Sequence, residues 1–177
     1  MQKHCTNHRP PHLFLDNEIY FITASTYGKK PLFDNAQKKD MLRNVLREKA
    51  SLFGVKIYAY AIMDSHYHLL IRLGKGKELA AFIKGVNGKS AISLKKMDNS
   101  LGHGIWYNYW DKCIRTERDF WVHYNYIHHN PVKHGKADKM EDYDYSSYRN
   151  WLERKGKEWM DGVFERYPIV DFTKGDG

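Results

Sequence analysis

Cysteine is scarce: Cys5 and Cys113 are the only two in 177 residues. Neither has a Cys-x-x-Cys partner, so a disulfide framework and a cysteine-based zinc site are both excluded, and a reducing cytoplasm is the expected location. Long apolar runs are missing as well. No stretch approaches the roughly 18 apolar residues that span a bilayer, so no membrane partner is expected. The leading residues 1–12 are polar and carry His4, His8, His12, Pro10 and Pro11 without an apolar core. They are expected to form neither a signal peptide nor a helical metal face, but an arm able to brush DNA. Acidic residues are the minority, 21 against 29 lysines and arginines, which leaves a net charge of +8.

What is present is a soluble composition, 42% hydrophobic and 28% charged, with an aromatic share of 15%. A chain this long buries roughly 70% of its unfolded surface and needs no covalent staples. Cations track phosphates and aromatic faces stack on unpaired bases, so the balance points toward single-stranded nucleic acid. No internal repeat or low-complexity tract breaks the chain.

The pattern predicts a strand over 18–26 and a helix that Asp34 caps with Gln37 and Gly54 closes. Strands over 55–63 and 66–73 form a hairpin about Asp64 and Ser65. A helix weakened by Gly85 and Gly88 covers 77–97, and a fourth strand covers 105–115. Thr116 caps a last long helix, which Pro131 is expected to end. This is an α+β chain of the ferredoxin-like split βαββαβ type, an antiparallel sheet carrying two helices on one face with the added helix placed separately. Residues 1–152 read as one domain and 153–177 as a C-terminal tail, either accessory or loose.

Two constellations carry chemistry. In the third strand, alternation points His66 and His68 the same way, with Leu70 and Arg72, while Tyr67, Leu69, Ile71 and Leu73 face the core. Two imidazoles so spaced can converge on one cation, although a bare His-x-His arises easily by chance among ten histidines. On the last helix Phe120, Tyr124 and Ile127 form the core stripe. Tyr126 lies off that stripe, Asn130 shares its face one turn later, and His123 lies a turn earlier. Gly88-Lys89-Ser90 imitates a phosphate loop, but Ile83 stands where that loop needs glycine, so no nucleotide cofactor is expected.

Several blocks together are more specific than any one motif. AYAIMDSHYHLLIRL (59–73) resembles the histidine–hydrophobe–histidine strand of the HUH single-tyrosine transposases. YIHHNPVKHG (126–135), DYDYSSYRNW (142–151), WYNYWDKCIRTERDF (106–120) and YFITAST…PLF (20–33) resemble one branch of them. That branch is the REP-associated tyrosine transposases, which act on repetitive extragenic palindromes in bacteria. The resemblance runs through residues 12–152 in order and spacing. It departs at Ser65, where the branch usually has Asn, at Tyr67 between the histidines, at Lys133-His134, and at Tyr145, where Trp is common.

The resemblance implies a metal-dependent transposase and endonuclease acting on single-stranded DNA hairpins, and a cytoplasmic, nucleoid-associated location. The added helix would carry the catalytic Tyr126, which would form a 5′-phosphotyrosine link. His66, His68 and Asn130 would hold a divalent ion, Mg²⁺ or Mn²⁺, and His123 is a proton-acceptor candidate. Lys29, Lys30, Arg115 and Arg118 are candidate phosphate contacts, and Trp106, Tyr109 and Trp110 candidate base-stacking groups. A homodimer, with the tyrosine acting in cis or in trans, stays open. The competing readings are a hairpin-binding regulator that does not cut and a metal-dependent nuclease that uses water.

Overall fold

A computed structural model describes residues 15–99, 102 and 104–172. Cys5 and the three histidines of the leading segment lie outside them. Strand β1 (Ile19–Thr26) is followed by α1 (Ala36–Leu52), β2 (Lys56–Ile62), β3 (His66–Arg72), α2 (Leu79–Met97), β4 (Trp106–Ile114) and α3 (Glu117–Lys133). Helices α4 (Tyr148–Lys155) and α5 (Lys157–Arg166) complete the chain. The sheet order is β2-β3-β1-β4, and every neighbouring pair is antiparallel. The expected split pattern is thus present. No helix among the described residues is long and apolar enough to cross a membrane.

Strand alternation gives the sheet two buried faces. Tyr20, Ile22 and Ala24 of β1 and Tyr67, Leu69 and Ile71 of β3 pack against Leu42, Val45 and Leu46 of α1 and Phe82, Ile83 and Val86 of α2. Phe21, Ala59, Ala61 and Leu70 point the other way, against Tyr124 and Ile127 of α3, Tyr148 of α4 and Met160 and Val163 of α5. The added helix α3 therefore covers the face opposite α1 and α2. Helices α4 and α5 extend that layer. Trp151 stacks on Trp159 with ring centroids 5.9 Å apart, and Asn125 Nδ2 donates to the carbonyls of Val163 and Tyr167.

Two local expectations shift. The α1 cap is Asn35 rather than Asp34: its side chain accepts from the Lys38 N–H at 3.0 Å. Asp34 instead pairs with the Lys38 ammonium. Pro131 does not end α3 but sits inside its last turn. The proline costs only the one hydrogen bond to the carbonyl four residues back. The end comes at Gly135, at φ 63°, where the Gly135 N–H donates to the Val132 carbonyl and the Lys136 N–H to the Pro131 carbonyl. That left-handed closure satisfies the last carbonyls and keeps Asn130 within regular helix. Residues 145–147 pair with β2. Ile62 N–H donates to the Tyr145 carbonyl and Ser147 N–H to the Tyr60 carbonyl, which seals the edge of β2.

Met160 is fully buried under the second face. Met160→Ala is expected to lower unfolding free energy by about 2–5 kcal/mol, read as the urea midpoint. An unchanged midpoint would show that α5 rests on the fold without contributing to it.

Candidate active site

The pleat of β3 sends Tyr67 into the first core, where its hydroxyl donates to Asn87 Oδ1 at 2.8 Å. The same pleat turns His66 and His68 toward α3. His66 Nε2 lies 3.1 Å from Asn130 Oδ1, and the two imidazole centroids are 4.9 Å apart. The Tyr126 ring lies 5.2 Å from that of His68. Tyr126 and Asn130 share this face because they are one helical turn apart. The structure thus brings His66, His68, Tyr126 and Asn130 together.

His68 Nδ1 lies 2.8 Å from Thr23 Oγ1, its cross-strand partner in β1. With Nδ1 held there, the buried Nε2 has no hydrogen-bond partner, and neither does Asn130 Nδ2. Buried polar atoms are seldom left so, and such exceptions concentrate where a ligand completes the set. Burial lowers His66 to about 4 against the opposing hydrogen bond that Asn130 Oδ1 accepts from it. Burial, then the charges of His66, His134 and Lys133, hold His68 well below its ordinary range. Both rings are therefore neutral and offer lone pairs, the form a metal takes. Among the described residues no three His, Cys, Asp or Glu side chains make a metal cluster; the donor set here is two imidazoles and an amide oxygen, which suits a divalent ion.

Tyr126 is 4% exposed. Phe172 packs against its ring at 5.0 Å, and the Lys133 ammonium lies 5.6 Å from the ring centroid while pairing with Asp171. His123 is fully buried, 4.3 Å from and stacked on the same Phe172. Its Nδ1 meets the Asp119 carbonyl at 2.7 Å, leaving Nε2 without a partner. Desolvation lowers its pKa despite that carbonyl and the Asp119 carboxylate.

The candidate DNA contacts separate by place. Lys29 and Lys30 are exposed, and the charge of Lys29 reaches His66. Arg115 and Arg118 are exposed, but near the opposite end of the sheet from the Ser25–His66 pair, roughly 20 Å along β1 by strand rise. Trp106 is a core anchor: it stacks on Phe33 at 5.1 Å and its indole N–H donates to Ser90 Oγ at 2.9 Å. Tyr109 also packs on the first core. Trp110 is 37% exposed and shares the row of Thr23 and His68.

Sequence reasoning missed Thr23, Lys133, Phe172 and His134, whose ring lies 5.2 Å from that of His66. Lys133 follows Tyr126 by two helical turns, a visible signal. His134 follows Asn130 by four residues, another. Thr23 needs the strand register, and Phe172 lies beyond any periodic segment.

The profile of the family described as "Transposase IS200 like" matches residues 16–130. This chain belongs to that family of transposases. It is 22% identical to the REP-associated tyrosine transposase of Escherichia coli over 92% of this chain and 93% of that one. It is 27% identical to a Haemophilus influenzae protein assigned to the same group, over 76% of this chain and 82% of the relative. The fold matches a solved REP-associated tyrosine transposase bound to a REP hairpin, with a TM-score of 0.74 at 19% identity, covering 98% of this chain and 96% of that one.

The buried imidazoles make an acid-sensitive fold. Desolvation also holds His128, behind Tyr126 on α3, at about 3. A folded chain that keeps these rings neutral binds fewer protons than the unfolded chain below the ordinary value of about 6.5. Their contribution is complete above that value and is lost as pH falls through it toward about 4 for His66 and about 3 for His128. The thermal midpoint of metal-free protein is expected to be level from about pH 8 to 7 and to drop steadily from about 6.5 to 4. A level midpoint across the acid range would mean the rings are protonated in the fold.

Proposed function

We propose that this transposase cuts and rejoins single-stranded DNA beside palindromic hairpins through a covalent link to Tyr126. The observation that carries the reading is the tyrosine ring 5.2 Å from His68, with the half-buried His66 and the buried Asn130 completing one donor set. The solved relative bound to a REP hairpin supports the hairpin as substrate.

His66 Nε2, His68 Nε2 and Asn130 Oδ1 would hold Mg²⁺ or Mn²⁺. When bound, the ion supplies Lewis-acid polarisation and orients the scissile phosphate. The chain's own groups do the rest. Thr23 fixes the His68 ring through Nδ1 and keeps Nε2 turned inward. Tyr126 gives up its phenolic proton and its oxygen attacks phosphorus. The new bond joins Tyr126 Oη to phosphorus, and the bond from phosphorus to the 3′-oxygen breaks. That oxygen takes a proton and leaves as a free 3′-hydroxyl. Attack by a 3′-hydroxyl on the link reverses the step, so strand transfer consumes no nucleotide. The Lys133 ammonium over the ring stabilises negative charge developing there. His123 Nε2 is the proton acceptor offered by the chain, a weak base because it is buried.

The second reading is a hairpin-binding regulator that does not cut. The burial of Tyr126 under Phe172 and the Lys133–Asp171 pair favours it, since a phosphate reaches the phenol only when that cover withdraws.

Incubated with end-labelled hairpin DNA and Mn²⁺, the wild type is expected to form a denaturation-resistant protein–DNA band. Tyr126→Phe is expected to form none while binding the hairpin as before. His66→Ala and His68→Ala are each expected to suppress the band. Cleavage that persists in Tyr126→Phe would assign the attack to water, and a band that survives EDTA would remove the metal. Hairpin binding with no band from the wild type would favour the regulator. As a positioning residue, Thr23 is tested by Thr23→Val, expected to weaken Mn²⁺ binding by about 10–100-fold in calorimetry. Unchanged Mn²⁺ affinity would show that the hydroxyl does not orient His68.

A further inference from the structure

Aromatic residues in this chain are mostly core. Among the described residues the large exposed hydrophobic side chains include three aromatic ones, Tyr27 at 58%, Tyr107 at 62% and Trp110 at 37% exposure. All three lie at β4 or at the end of β1. Tyr27 and Tyr107 meet edge to face with centroids 5.9 Å apart. Leaving two phenol rings in water is costly unless something covers them.

The pair is fixed to the site. Tyr27 N–H donates to the Ile105 carbonyl at 2.9 Å, and Thr26 N–H to the Ser65 carbonyl at 2.8 Å. The Thr26 hydroxyl bonds to the Lys30 carbonyl at 2.7 Å and meets the Ser65 carbonyl at 3.1 Å. Ser65 is the residue before His66, so one threonine clamps the Tyr27–Lys30 turn to the start of the histidine strand. The turn is strained: after Gly28 at φ 65°, Lys29 also takes a left-handed φ of 53°. A lysine held there against its preference is a feature of functional surfaces more than of spare loops. Lys29 and Lys30 are exposed, and among the described residues neither enters an ion pair. Two unneutralised cations beside two open aromatic rings, next to a site that handles phosphodiesters, match the groups of an unpaired DNA strand: anionic phosphates and flat bases.

We propose that Tyr27 and Tyr107 form a stacking platform for unpaired bases of the strand entering the site, with Lys29 and Lys30 on the adjoining phosphates. The platform rests on the reading of this chain as an enzyme of single-stranded DNA beside hairpins, and it adds the surface that grips the unpaired tail rather than the stem. Trp106 and Tyr109, anchored in the first core, have no such role.

The test compares two DNAs by fluorescence anisotropy: a hairpin with a single-stranded extension, and the same hairpin trimmed to its stem. Tyr27→Ala/Tyr107→Ala is expected to lose about tenfold or more in affinity for the extended hairpin and none for the trimmed one. Tyr27→Phe/Tyr107→Phe is expected to bind like the wild type, because stacking needs the ring and not the hydroxyl. Lys29→Ala/Lys30→Ala is expected to flatten the salt dependence for the extended DNA alone, by roughly 0.7 in slope for each phosphate no longer held. Equal affinity of wild type and the alanine pair for the extended hairpin overturns the platform, as does equal loss on both DNAs at an unchanged thermal midpoint. A wild type that binds neither DNA overturns the hairpin reading and the platform with it. A platform failure alone leaves the Tyr126 adduct and trimmed-hairpin binding intact.

Discussion

Strand β3 is buried on both faces, and that constraint organises everything around it. A strand in the middle of a two-sided sheet must send alternate side chains into different layers. Here one layer receives Tyr67, Leu69 and Ile71, and the other receives His66, His68 and Leu70. Imidazoles placed in an apolar layer stay neutral, and their nitrogens need partners. β1 supplies Thr23 for one ring and α3 supplies Asn130 for the other. Three of the buried side-chain atoms left without a partner, His68 Nε2, His123 Nε2 and Asn130 Nδ2, lie in the layer between α3 and the sheet. Unsatisfied buried groups destabilise a fold by about 1–3 kcal/mol each. Three such atoms in one layer are the pattern expected where a fold gives up stability for a ligand.

That logic also explains which parts of the site were legible in the sequence. The shared direction of His66 and His68 follows from a period of two, and the shared face of Tyr126 and Asn130 from a spacing of four; both rules are local. Thr23 is bound to His68 by the β1–β3 register, 45 residues apart in the chain, and no local period reports it. Pro131 misled in the opposite sense. A proline is read as a helix stop, yet the Schellman-type closure at Gly135 carries α3 past it. Asn130 is consequently held in regular helix, not in a fraying end.

Aromatic residues were the least legible. Trp106 and Tyr27 occupy paired ends of adjacent strands, and nothing in composition separates them. Trp106 is drawn inward because Ser90 of α2 accepts its indole N–H and Phe33 offers a ring face. Tyr27 meets instead the ring of Tyr107, which is itself exposed. The segment after α3 was equally opaque. Helices of 8 and 10 residues are too short for a clear period, and their contribution depends on aromatic contacts, such as Trp151 on Trp159, that form only once the layer is assembled. The DYDYSSYRNW run likewise makes sense only in space. Ser146 and Ser147 line up on β2, Tyr143 donates to the Ile62 carbonyl, and Ser147 meets His128 at 2.8 Å, so the run closes a sheet edge and braces α3 from behind.

Net charge alone does not say where a phosphate would approach, because much of the positive charge is already engaged. Asp64, in the turn that sets the phase of β3, pairs with Lys39 of α1 at 2.7 Å and with Lys136 beyond α3 at 2.5 Å. Burial pushes its carboxyl up, but the two lysines outweigh that and hold it below the usual range. A paired carboxylate so placed ties both helical layers to the residue pair Asp64–Ser65. It thereby fixes which side of the strand His66 takes. Lys133 is held by Asp171 and Lys38 by Asp34. Lysines that clamp layers cannot also reach for a backbone without releasing the clamp. Among the described residues, outward cations beside the site are therefore those of the Tyr27–Lys30 turn, on the side where the exposed rings also stand. Fold-holding charge and outward-facing charge are separated along the chain, so a phosphate meeting the outward lysines would be neutralised without loosening the turn that aims the histidines.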